Sequence, residues 1–196
     1  MWFDLVNVEG SYFPHLAADK RIKHLVDLRF DHNHERVNAL LEALCGILHE
    51  TESAEDRWLF SSLGPLKRRM NLSVCDFLDE NEFRVAFRLE ESLKEHEEDG
   101  IQFSEIAFVC PVELLRTLLN ESRLGFNFNL RFAGWLVSKA RILEMMERRK
   151  VVQGLFALPE AGTKLAFCSS EDWDCIQFVS TDELQLGRLV ARGGNA

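Results

Sequence analysis

No apolar stretch of this 196-residue chain approaches the roughly 20 residues that a membrane-spanning helix needs. The opening run, MWFDLVNVEG, is interrupted by Asp4 and lacks the basic region of a signal peptide. These two absences lead us to expect a cytoplasmic protein with no membrane partner. No C-x-x-C pair occurs, so neither a structural zinc site nor a thioredoxin-like redox pair has support. Instead Cys45, Cys75, Cys110, Cys168 and Cys175 are odd in number and well separated, mostly inside apolar runs such as IAFVC and KLAFC. That is the usage of buried free thiols in a reducing compartment. Cys168 and Cys175 could meet across a hairpin, but a functional disulfide between them is not expected.

Several catalytic spacings are missing too. There is no G-x-S-x-G elbow for an acyl-transfer serine, no G-x-x-x-x-G-K-[ST] loop to cradle phosphates, and no G-x-G-x-x-G dinucleotide turn. AGTKLAF holds a lysine and a threonine without the first glycine, and reads as a turn into a strand. The chain also lacks an internal repeat and any Pro- or Ser-rich linker. One domain over residues 1–190 is the expectation, with ARGGNA ending the chain as a loose tail over 191–196.

What is present fits a globular core, with 46% hydrophobic and 28% charged residues. The net charge of -9 argues against nucleic acid, whose phosphates are bound by clustered Lys and Arg. Acids concentrate between Asp79 and Asp99, where nine of them stand against three bases and leave a net of -6. KRRM (Lys67–Met70) and ERRK (Glu147–Lys150) are too short for a nucleic-acid footprint; the second suits the negative end of a helix.

The hydrophobic periods place the elements. In IKHLVDLRF, Val26, Leu28 and Phe30 alternate as in a half-buried strand. From Glu35 onward Val37, Leu40, Leu41, Leu44 and Leu48 share one helical face. TESAED could open a short helix near Trp58, Gly64-Pro65 marks a turn, and the stretch from Thr51 to Met70 otherwise reads as irregular. NLSVCDFL and EFRVAFRLE form an expected hairpin, with Phe83, Val85, Phe87 and Leu89 on its core side. IQFSEIAFVC is a further strand, after which Pro111 opens a helix striped by Leu114, Leu115, Leu118 and Leu119.

Phe126, Phe128, Leu130 and Phe132 alternate ahead of a helix expected from about Gly134 to Lys150, with Leu136, Ala140 and Leu143 inward. VQGLFALP, KLAFCS and DCIQFVS are short strands, and Thr181 caps a last helix. Grouped strands interrupted by about three main helices indicate an α+β domain with a mainly antiparallel sheet.

Two stretches are candidates for function. In DHNHE, His32 and His34 flank Asn33 where a strand gives way to a helix. An H-x-H pair at a strand end can grip one divalent ion, because residues two apart share a side. A metal-dependent hydrolase would need further ligands around an open water position, and the other histidines, at 15, 24, 49 and 96, are few and scattered. A helix start explains the same residues, with Asp31 or Asn33 as cap and Glu35 in the first turn. No metal ligand, catalytic residue or cofactor is therefore assigned.

The second stretch is EESLKEHEEDG. As a solvated connection it keeps the protein soluble; as a patch it would steer a basic protein partner toward Glu91, Glu95, Glu97, Glu98 and Asp99. The leading expectation is an inhibitor, immunity-type antidote or adaptor that binds such a partner, and the alternative is the His32/His34 hydrolase.

Overall fold

The leucine stripe beyond the histidines folds as helix α1, Glu35–Thr51, with Leu41, Leu44 and Leu48 buried as the period predicts. The computed structural model describes residues 2–5, 24–29, 35–65, 87–88, 97–98, 101–120, 131–148, 165–169 and 175–180. Two further helices follow, α2 (Val112–Asn120) and α3 (Lys139–Arg148). At α2 the Pro111 carbonyl accepts the Leu115 N–H at 3.0 Å, so the proline stands where its missing donor costs nothing. Val112, Leu115 and Leu118 are buried, with Leu114 packed against the core.

The strands are β1 (Trp2–Leu5), β2 (His24–Arg29), β3 (Asp56–Pro65), β4 (Phe87–Arg88), β5 (Glu97–Glu98), β6 (Ile101–Phe108), β7 (Arg131–Ser138), β8 (Leu165–Ser169) and β9 (Cys175–Ser180). They order as β1-β2-β9-β8-β7-β3-β6-β4, with β5 also on β6. Each of these pairs is antiparallel. The fold is α+β, a single domain with a mainly antiparallel sheet and, among the described residues, three helices. No helix among them is long and apolar enough to cross a membrane.

Register explains the core. Residues directly opposed across a ladder share a face, so Phe60 aligns with Phe108 on one side and, through Gly134, with Phe167 and Phe178 on the other. Their rings meet in a chain, 5.8 Å between Phe60 and Phe108 and 5.9 Å between Phe167 and Phe178. This face joins α1 and α2 in one cluster. The two helices run antiparallel: Glu42 pairs with Arg116, and His49 Nδ1 lies 3.8 Å from the Glu113 carboxylate, so numbers rise along one helix as they fall along the other.

Three expectations need correction. The stretch from Thr51 to Met70 is not irregular over Asp56–Pro65: it holds β3, paired to β6 on one edge and β7 on the other. Trp58 and Phe60 face the helices while Leu59 and Ser61 are buried on the opposite face, so no polar alternation advertises the strand. Its start is fixed locally. Ser53 Oγ accepts the Asp56 N–H at 3.0 Å and donates to Asp56 Oδ2 at 3.1 Å, while Trp58 Nε1 donates back to the Leu48 carbonyl at 3.1 Å.

The second correction is the helix expected from Gly134. Residues through Ser138 belong to β7, and the helix begins at Lys139 because Ser138 Oγ accepts the Arg141 N–H at 3.2 Å as an N-cap. The third follows from it. Ile142 of α3 is buried, whereas Leu143, expected inward, is 59% exposed.

Of the expected hairpin, Phe87 and Arg88 form β4, and they pair with β6. Residues 71–78, Phe83, Val85 and Leu89 lie outside the described residues, as do Phe126, Phe128, Leu130, VQGLFALP, the helix opened by Thr181 and the tail.

Candidate functional site

Glutamate is a poor strand former, and a run of glutamates reads as a solvated connection. The structure nevertheless puts Glu97 and Glu98 in β5, with Glu97 opposite Gln102 and Glu98 opposite Ile101. The two residues between the strands, Asp99 and Gly100, are the Asp-Gly dipeptide that two-residue hairpins favour. That signal lay in the sequence beside the acids and was overshadowed by them. Glu91, Glu95 and Asp99 lie outside the described residues.

β4 and β5 both pair with β6, β4 at Ala107 and Ile106 and β5 at Gln102 and Ile101. From Arg88 to Glu97 the chain advances nine residues, while their β6 partners, Ile106 and Gln102, are four apart. Charge on an outer edge also has a plain structural role, since it discourages another chain from adding a strand there.

His32 and His34 lie outside the described residues. Their neighbours place the stretch between the end of β2 at Arg29 and the start of α1 at Glu35, a strand-to-helix junction as the period change predicts. No group of three or more His, Cys, Asp or Glu side chains that could hold a metal is found among the described residues.

The described cysteines are buried, and none is in a disulfide. Burial pushes Cys45 up from the ordinary 9.0 to about 11, with the Arg116 guanidinium opposing the shift. Burial likewise pushes Cys110 up to about 12, with the Glu52 carboxylate adding to it. Both are held as neutral thiols at physiological pH, which suits packing and disfavours nucleophilic attack. Cys168 stands opposite Gln177 in the β8–β9 ladder, which puts it on a diagonal from Cys175, and its Sγ lies 3.4 Å from the Ser169 carbonyl.

The sheet face away from α1 and α2 carries polar groups that sequence reasoning did not single out. Ser61 and Gln177 are buried there, in one cross-strand row with Ala133 and Cys168. Beside that row the buried Trp135 Nε1 has no hydrogen-bond partner among the described residues. Their apolar neighbours in the sequence gave no hint of this, because only the register aligns them.

No family model, no curated protein and no solved structure matches the chain.

Proposed function

We propose that the protein is a cytosolic interaction protein, an inhibitor, immunity-type antidote or adaptor, whose acidic stretch around Glu91, Glu95, Glu97, Glu98 and Asp99 receives a basic surface of a protein partner. The observation that supports this reading is the ladder holding Glu97 and Glu98 against β6. A strand edge restricts these residues more than a free connection would, so less backbone entropy is lost when a partner docks. The concentration of acids around them supplies a field that favours opposite charge at the moment of encounter.

The test uses a partner recovered from the native host on the immobilised protein, and compares wild type with a variant carrying Gln at Glu91, Glu95, Glu97 and Glu98 and Asn at Asp99. Association with the variant is expected to be several-fold slower at low salt, the gap closing as salt rises, with dissociation changed less. Equal association rates at low salt overturn the proposal. Stoichiometric zinc or manganese in the purified protein, lost when His32 and His34 are both replaced by Gln, favours the metal-dependent hydrolase instead.

A further inference from the structure

We draw no further inference here: the strongest candidate, the buried cross-strand row of Ser61, Ala133 and Cys168 beside the Trp135 indole on the second face of the sheet, carries nothing because nothing among the described residues shows what covers it.

Discussion

Replacing Gly134 by alanine sets two effects of opposite sign against each other. In a strand interior glycine is worse than alanine by roughly 0.5–1 kcal/mol, through the entropy it loses on folding. At this position, however, a Cβ would stand 2.3 Å from Phe167 Cε1 and 2.9 Å from Cζ. Carbon atoms pack best at about 3.5–4.0 Å, so the ring must retreat by an ångström or more. It has little room to do so. Phe167 is fully buried, with Trp58 at 5.5 Å, Phe178 at 5.9 Å and Phe132 at 6.1 Å between ring centres.

Overpacking of this kind costs about 1–3 kcal/mol, and after the entropic gain Gly134→Ala is expected to lose about 1–2 kcal/mol. With a urea slope of about 1–3 kcal/mol per M, the unfolding midpoint falls by roughly 0.3–2 M. Gly46→Ala is the control, because its Cβ meets nothing within 4 Å on α1; it should gain up to about 1 kcal/mol. A third variant joins Gly134→Ala to Phe167→Leu, and its loss should be smaller than the sum of the single losses by roughly 0.5 kcal/mol or more. A Gly134→Ala protein as stable as wild type, or a strictly additive double variant, refutes the argument that the ring occupies the space above Gly134.

Trp58→Phe removes an N–H that donates to the Leu48 carbonyl at 3.1 Å and to Thr51 Oγ1 at 3.2 Å, whereas Trp135→Phe removes a buried N–H with no partner among the described residues. The first change should therefore cost about 1 kcal/mol more than the second in urea unfolding; a reversed order would contradict both assignments. Cys45 and Cys110 should resist a thiol-directed disulfide reagent at pH 8 in the folded protein and react at once in denaturant; rapid labelling of either in native buffer would mean that the α1–α2 side opens readily. Since both pKa values are raised in the folded state, the unfolded chain gives up these protons first, and their contribution to stability is complete below pH 9 and declines as pH climbs toward about 11 and 12. A Cys45→Ala/Cys110→Ala variant, compared with wild type by unfolding across pH 8 to 11, should lose less of its stability with rising pH; identical pH slopes would argue against the shifts.

How far the sequence revealed the fold depended on whether an element has one wet face. α1 and α2 do, and their leucines at helical spacing identified both. β2 and β6 were readable as apolar segments with strand-forming residues. β3 was not, because Trp58, Leu59, Phe60, Ser61 and Ser62 are all buried and period alone cannot separate such a run from irregular structure. At the β7–α3 boundary the glycine invited a helix start, although its role is to admit the Phe167 ring, and the cap that matters is Ser138, four residues later. Of the acidic stretch, composition showed the charge, while the strand pairing of Glu97 and Glu98 depended on the Asp-Gly dipeptide beyond them.

The strand order also bears on how the chain is made. Among the described residues, β1 and β2 reach the rest of the sheet through β9, whose Cys175 and Ser180 lie opposite Arg29 and His24. During synthesis the first hairpin leaves the ribosome long before the strand it must join. At about 5–20 residues per second the interval is on the order of 10 s, against roughly 1–10 μs for a hairpin to close. Throughout that time β2 has a free edge on the side that β9 later takes. Early release of the nascent chain, even a few residues short of Cys175, would leave the central strands with partners and strand the first two without one, making that edge the place where a truncated product adds to another chain.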